Sequence, residues 1–151
     1  MKLLNKIQYG DRYTEYILEQ WKTAVEMSNA LSDRRTNMNN IYVSINAIMI
    51  ALLTFQFEKK SIGFAIVGIS VCVLWLVNLN NYKRLNSVKF QIINELEKKL
   101  PANVFDYEWE LVGRGDESKK YKKMSCIEMI IPGIFILVYA VNIFYPVVFK
   151  Q

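Results

Sequence analysis

The sequence contains no histidine, and this absence removes several classes of active site. Catalytic triads, imidazole general bases and histidine-ligated metals all require that side chain. There are only two cysteines, Cys72 and Cys126, and no CxxC motif, so we expect small packing residues rather than a zinc site or a disulfide. The chain also lacks a glycine-rich phosphate-binding loop. We therefore expect no cofactor, no metal and no enzymatic activity.

One acidic cluster could still suggest an enzyme. Asp106, Glu108 and Glu110 lie close together in the sequence and could in principle bind a divalent cation. A metal site needs further ligands at a regular spacing, and the sequence offers no such pattern around them. We keep the enzyme as a third class of function, and the loss of activity on replacing these carboxylates would be its signature.

Long runs without charge dominate the rest of the chain. Residues 41–57 form a run of 17 residues without a charge, residues 61–80 form one of 20, and residues 124–149 are interrupted only by Glu128. A helix needs about 20 residues to cross the ~30 Å hydrocarbon core of a bilayer. Because such helices have no solvent-facing side, a soluble domain of 151 residues could hardly bury three of them. We expect three spans, the alternative being two spans and a C-terminal re-entrant or interfacial helix.

Lysine and arginine predict the orientation of these spans. Residues 1–40 carry six of them and residues 81–123 carry ten, whereas residues 58–60 carry two and the tail carries only Lys150. Because cytoplasmic segments are enriched in basic residues, the N-terminus and residues 81–123 are predicted to be cytoplasmic. The C-terminus is then predicted to lie outside.

The two cytoplasmic segments show helical patterns. In residues 1–40, apolar residues at helical spacing predict an amphipathic helix, followed by a polar junction before the first span. After the second span an apolar stripe runs from Leu85 to Leu100, and no helix breaker lies between Gly68 and Pro101. One stalk helix is therefore predicted from about residue 62 to 100. Residues 103–112 fit a strand or a short helix capped by Asn103, and we favour the helix because a lone strand has no partner.

Polar residues inside the predicted spans are candidates for function because lipid makes them costly. The candidates for lining a pore are Asn46, Thr54, Glu128 and Asn142. Glu128 could instead pair with Lys123 or reach water at headgroup depth.

Small residues recur at helical spacing in the first two spans. Such faces pack helices closely, or they line a water-filled path between subunits, which requires an oligomer because three helices cannot enclose a channel. The candidates for packing are Ser44, Ala47, Ala51, Ala65, Gly68 and Cys72.

Two stretches resemble a known family. The segment "NYKRLNSVKFQIINELEKKLP" at 81–101, followed by Glu108-Trp109, and the segment "QWKTAVEMSNALSDRRTNMNN" at 20–40 are similar to small bacterial inner-membrane proteins of the RipA type, described as octameric membrane proteins. The resemblance covers about residues 12–145. It implies an all-helical protomer with transmembrane spans and a cytosolic helical part, assembled as an octameric ring in the inner membrane.

The resemblance also implies a function. A similar octameric plan belongs to the membrane accessory protein of type VI-B CRISPR systems, a pore that depolarises the membrane during phage defence. Small membrane effectors of nucleotide-signalling defence systems, such as the SLATT type, share the plan of spans and cytosolic helices. Since this chain lacks histidine, an R-x-H nuclease motif cannot be carried over. The residues expected to build the cytosolic head are Trp21, Arg34, Arg35, Tyr82, Arg84, Asn86 and Trp109.

These observations predict an all-α membrane protein with about three transmembrane helices and cytosolic amphipathic helices. We expect an oligomeric pore or membrane-perturbing effector in prokaryotic antiviral defence, or alternatively a non-conducting scaffold or regulatory protein in stress or host adaptation. Its expected partners are the lipid bilayer, other copies of itself and a cytosolic defence effector or signal. Basic residues beside a span suit anionic lipid and topology, so we expect no specific binding of nucleic acid.

Overall fold

Every regular element in the described part of the chain is a helix, which confirms the all-α prediction. The computed structural model describes residues 12–55, 61–113 and 127–149, with the backbone alone at 54, 55, 61 and 145–149. The helices are α1 (Tyr13–Phe55), α2 (Ser61–Glu97), α3 (Val104–Leu111) and α4 (Ile130–Phe149).

Helix α1 is continuous over 43 residues and includes the predicted polar junction. No glycine or proline occurs between its ends, so nothing in its backbone interrupts the hydrogen-bond ladder. Within the junction, Ser32 Oγ donates to the carbonyl of Ser28 at 3.2 Å, a bond that stays inside the helix. At 1.5 Å per residue α1 is about 64 Å long, roughly twice the thickness of a bilayer core.

Helix α2 confirms the single helix predicted from about 62 to 100. It has 37 residues and ends at Glu97, three residues before the predicted end. The amides of Lys99 and Leu100 donate to the carbonyls of Leu96 and Glu97 at 3.0 and 2.8 Å, which tightens the chain into a turn. The proline that follows excludes helical backbone at the residue before it, so the helix ends upstream of Pro101.

Helix α2 also has the composition of a membrane span. Within the described residues it is the one helix, at Ile62–Glu97, that is long and apolar enough to cross a bilayer, with a mean hydropathy of 2.4 over an 18-residue window. The part of α4 whose side chains are described, Ile130–Phe144, is apolar but shorter. The described part of α1 does not reach the same hydropathy, so three spans stay a prediction.

Helix α4 begins later than the third apolar run. The backbone turns at Met129, and regular helix starts at Ile130. Pro132 therefore lies in the first turn, where its missing N–H would have no partner in any case. Ile127 and Glu128 are also helical, so the turn at Met129 separates them from α4.

Contacts between segments divide the chain into two units, which we treat separately. The charged unit consists of Met1–Arg34 and Tyr82–Lys123, and the apolar unit consists of Arg35–Asn81 and Met124–Gln151. The division places the two predicted cytoplasmic segments together and the predicted spans together.

The charged unit is held by an apolar seam and a small aromatic cluster. Its buried hydrophobic side chains are Ile17, Ile93 and Leu96. The ring of Phe105 lies 5.9 Å from that of Trp21 and 6.0 Å from that of Phe90. Such tilted and edge-on arrangements are the favourable geometries for aromatic pairs. Phe105 thus packs α3 against both longer helices.

Two ion pairs lie on the surface of this unit and contribute little to it. Lys22 Nζ lies 3.0 Å from Glu19, and Lys98 Nζ lies 2.6 Å from Glu95. The hydrogen bond to Glu95 and the charge of that carboxylate raise the pKa of Lys98. All four side chains are more than half exposed, and water screens such pairs.

Glu97 holds the beginning of α3. This carboxylate is 1% exposed, and its two oxygens accept the backbone N–H groups of Phe105 and Asp106 at 3.1 and 3.3 Å. A negative charge at a helix N-terminus is favourable because the first amides lack helical partners. Asn103 occupies the N-cap position as predicted, but its side chain makes no capping bond. The predicted cap was wrong because a residue of the preceding helix supplies the acceptor. At the other end, Gly113 takes a φ of 72°, a conformation that glycine adopts without strain.

Replacing Glu97 with alanine should loosen α3. Two buried amides would lose their acceptor, which costs on the order of 1–3 kcal/mol. Hydrogen–deuterium exchange at Phe105 and Asp106 should become faster in the variant. The matched control is Glu95→Ala, which removes an exposed carboxylate and should leave that exchange unchanged. Equal protection in both variants would contradict a capping role for Glu97.

Candidate functional site

The directions of the helices in the apolar unit follow from their contacts. Along α1, Tyr42 contacts Trp75 and Asn46 contacts Cys72 of α2. Because the residue number falls in α2 as it rises in α1, these helices run antiparallel.

The segment that contains Glu128 and α4 runs in the opposite direction to α2. Glu128 contacts Arg35, and Tyr139 contacts Asn46. Both pairs are separated by 93 residues, so α4 runs parallel to α1 and antiparallel to α2. A chain that crosses a membrane three times would have this alternation of directions.

The amide of Asn46 joins all three helices. It is 0% exposed, and its Nδ2 donates to the carbonyl of Tyr42 in its own helix at 2.8 Å. Its Oδ1 accepts the Tyr139 hydroxyl at 2.9 Å and the Cys72 thiol at 3.1 Å. Hydrogen bonds of this kind between membrane helices contribute about 0.6–2 kcal/mol each. They also fix the helices in one register, because a shift would leave the amide buried and unpaired.

Gly68 makes this contact possible. A Cβ atom built at Gly68 would overlap the ring of Tyr139. The ring of Tyr139 therefore lies directly on the backbone of α2, and its hydroxyl reaches Asn46. This is a close approach that no other residue at position 68 would allow.

A cluster of aromatic and amide side chains joins the beginning of the α1 segment of this unit to the end of its α2 segment. The rings of Tyr42 and Trp75 stack at 5.4 Å with planes 5° apart. Trp75 Nε1 donates to Asn39 at 2.9 Å, and Asn78 donates to the Tyr42 hydroxyl at 2.7 Å. Each polar group thus has a partner from the other helix. Helical spacing does not predict this cluster, but tryptophan and tyrosine inside an apolar run usually need a hydrogen-bond partner, and that is the signal in the sequence that points to it.

Charge is almost absent from this unit. In its described part the charged residues are Arg35 and Glu128, and they form an ion pair with side chains 14% and 21% exposed. The pair joins α1 to the segment that precedes α4. We expected Glu128 to pair with Lys123, which lies outside the described residues, or to form a ring of charge. Its partner is instead 93 residues away in sequence.

The exterior of the apolar unit is hydrophobic. Ile48 is 61% exposed, Leu74 59% and Leu137 64%. Polar groups are thus paired inside while large aliphatic side chains face out. This is the reverse of a water-soluble domain and suits a lipid environment, where every polar group needs an internal partner.

The four pore candidates lie in different surroundings. Asn46 is buried inside the protomer, where its amide is bonded to Tyr42, Cys72 and Tyr139. Glu128 is half-buried in its ion pair. Asn142 is exposed, and its Nδ2 donates to the carbonyl of Val138 at 3.0 Å. Thr54 lies in the last turn of α1, outside the residues whose side chains are described.

The candidates for packing separate into two groups. Ala65, Gly68 and Cys72 are buried in the protomer, where they form the α2 side of the core with Tyr139. Ser44 and Ala47 are exposed, so the α1 face does not pack inside the same protomer.

This α1 face belongs to a longer polar strip. We call it the α1 stripe, and it comprises exposed residues that recur every three or four positions: Asn37, Asn40, Ser44, Ala47 and Ala51. Its length is about 21 Å at 1.5 Å per residue. The neighbouring exposed side chains of α1 are aliphatic, with Ile41 60% and Ile48 61% exposed. Small and polar side chains thus interrupt an otherwise apolar surface.

The residues predicted for the head are divided between the units. Trp21 packs on Phe105, Tyr82 and Asn86 are half-buried, and Arg84, Trp109 and Arg34 are exposed in the charged unit. Arg35, by contrast, belongs to the apolar unit and pairs with Glu128. Adjacent arginines therefore have different surroundings.

Replacing Gly68 with alanine should destabilise the apolar unit. The added methyl group would displace Tyr139, and overpacking of this kind costs about 1–3 kcal/mol. Denaturant unfolding in detergent micelles measures the loss. The matched control is Gly63→Ala, because a Cβ at Gly63 meets nothing within 4 Å. Equal stability of the two variants would show that Tyr139 does not depend on Gly68.

The comparison with protein families gives a match that covers most of the chain. A family model described as the octameric membrane protein family (8xMP) matches residues 18–148. No curated protein and no solved structure matches the chain. The match confirms the resemblance noted in the sequence, and it agrees with a unit whose buried polar groups are paired and whose exterior is apolar. The chain belongs to the octameric membrane protein family.

Proposed function

We propose that copies of this chain form a ring in the bacterial inner membrane around a water-filled path, and that the path is lined by the α1 stripe. The protein would act as a pore or membrane-perturbing effector in prokaryotic antiviral defence. The observation that carries the proposal is the exposed polar stripe on a unit whose other described surface is largely aliphatic. Each protomer would cross the membrane three times, with its N-terminus in the cytoplasm.

Lipid is a poor environment for this stripe. Ser44 is exposed inside the predicted span at 41–57, where a polar group is expensive unless it reaches water or a partner, and Asn37 and Asn40 continue the same face into the polar junction. The hydroxyl of Ser44 donates to the carbonyl of Asn40 at 2.9 Å, which satisfies it within the helix. The Asn40 side chain remains exposed. A face that turns toward water in a ring explains both its polarity and its small side chains.

The antiviral role is supported by the resemblance rather than by the geometry. The segments at 20–40 and 81–101 are similar to small octameric membrane proteins, and the pore-forming accessory protein of type VI-B CRISPR systems has a similar plan. A cytosolic defence effector or signal would act on the charged unit. The proposal involves no catalytic step.

A non-conducting scaffold would use the same stripe differently. Small residues at helical spacing allow two helices to approach closely, so Ser44, Ala47 and Ala51 could pack against a neighbouring protomer and exclude water. The two functions therefore differ in whether water reaches Ala47.

Cysteine accessibility distinguishes them. We expect Ala47→Cys to react with a membrane-impermeant thiol reagent in native membranes, because it would face the aqueous path. Ile48→Cys is the matched control, since it lies one residue away on the aliphatic face and should stay unreactive in lipid. The parent chain gives the background from Cys72 and Cys126. An Ala47→Cys variant as unreactive as Ile48→Cys would contradict a water-filled path along α1.

Conduction itself is measured in liposomes that contain the purified oligomer. Ala47→Leu adds bulk to the stripe and should reduce ion efflux several-fold, whereas Ile48→Leu should leave it near the parent value. Both variants must first give the mass of the parent oligomer in detergent. Absence of efflux from the parent protein under every triggering condition would favour the scaffold.

A further inference from the structure

Helix α2 presents a second apolar face, and this one lies in the charged unit. Leu85 and Val88 are each 52% exposed and Ile92 is 36% exposed. Their spacing of three and four residues places them on one side of the helix. Leu96 continues the same strip one turn further along and is buried with Ile93 in the core of the unit. The strip from Leu85 to Ile92 is therefore the part of this face that the described protomer leaves uncovered.

The residues around this face indicate that lipid does not cover it. It follows Lys83, and it is bracketed on the helix surface by Arg84 and Lys89, which stand on either side of the apolar strip. Basic residues of this kind mark the end of a membrane span rather than its interior. A cluster of three large aliphatic side chains in such a setting marks a surface that another protein covers.

Helix α3 also has three exposed apolar side chains on one side. Val104 is 59% exposed, and Tyr107 and Leu111 are each 62% exposed. They share one side of α3, while Phe105 on another side packs against Trp21. The apolar strip is bracketed by Glu108 and Glu110, both exposed.

The two faces match in length, spacing and charge. Each has its apolar residues at positions i, i+3 and i+7, and each extends for about 10 Å along its helix. The strip on α2 has basic flanks, whereas the strip on α3 has acidic flanks. Complementary charge of this kind aligns an interface and disfavours other partners.

A cyclic ring requires such a pair. In a ring of more than two copies, each protomer uses one patch toward the next copy and a different patch toward the previous one. Because the chain belongs to an octameric family, its surface should carry two different, complementary patches. The acidic flanks of the α3 face also disfavour an anionic lipid surface as its cover.

We propose that the α2 face of one copy, formed by Leu85, Val88 and Ile92, docks on the α3 face of the next copy, formed by Val104, Tyr107 and Leu111. Arg84 and Lys89 lie opposite Glu108 and Glu110 of the neighbour. The contact repeats around the ring, and it closes the charged units into a layer of their own. It is independent of whether the ring conducts.

Disulfide trapping between differently tagged chains tests this contact. One chain carries Val88→Cys and the other Tyr107→Cys, and both are produced in the same cells. Mild oxidation of the membranes should give a disulfide-linked dimer that carries both tags, because a disulfide forms only when the two Cα atoms approach within about 7 Å. The parent chains give the background from the native cysteines.

The matched control replaces Val88→Cys by Ser87→Cys. Ser87 is exposed and lies more than about 100° around α2 from the centre of the apolar strip, so its pairing with Tyr107→Cys should give at least several-fold less mixed dimer. Val88→Cys paired with itself should also give little, because identical positions are far apart in a ring. Equal trapping at positions 87 and 88, or trapping of Val88→Cys mainly with itself, would overturn the proposal.

A second measurement covers the case in which a cysteine variant does not assemble. A photoreactive benzophenone side chain at Tyr107 preserves an aromatic residue in an otherwise native ring. Irradiation should attach it to another copy of the chain, and mass spectrometry should map the adduct to residues 84–92. Adducts to lipid, to a different protein or to the same protomer, or no adduct at all, would show that α2 of a neighbour does not cover this face.

Discussion

The amide of Asn46 is the interaction on which the apolar unit depends. It receives the hydroxyl of Tyr139 from α4 and the thiol of Cys72 from α2, and it donates within α1. In lipid no water can replace these partners, so a helix that rotates or slides would expose an unpaired polar group. Gly68 allows the ring of Tyr139 to lie on α2, and the position of each helix follows from this one contact.

The polar groups inside the apolar unit are paired with one another, and large aliphatic side chains cover most of its exterior. Because Asn46, Tyr139 and the Tyr42–Trp75 cluster satisfy one another, they have no further need of water. The α1 stripe is different, since its side chains face out. The charged unit shows the reverse arrangement, because apolar strips of α2 and α3 are exposed on a surface that is otherwise charged. In the proposed ring, water would reach the α1 stripe and neighbouring copies would cover the apolar strips.

Sequence patterns predicted where the helices lie better than they predicted which residues contact one another. Continuous α2 followed from the absence of a breaker before Pro101, and the short α3 followed from the lack of a partner for a lone strand. Helical spacing also identified two small-residue faces, but it could not tell which one packs within the protomer, because spacing defines a face and not its neighbour. The pairs Arg35–Glu128 and Asn46–Tyr139 join residues 93 positions apart, a separation that local patterns do not encode. The predicted cap of α3 failed for the same reason, since Glu97 replaces the local Asn103.

Electron cryo-microscopy of the purified oligomer in lipid nanodiscs would show which way α1 faces in the proposed ring. We expect Asn40, Ser44 and Ala47 to face the symmetry axis and to border a lumen that contains water. A map in which these residues contact lipid, or pack against a neighbouring helix with no lumen beside them, would contradict it.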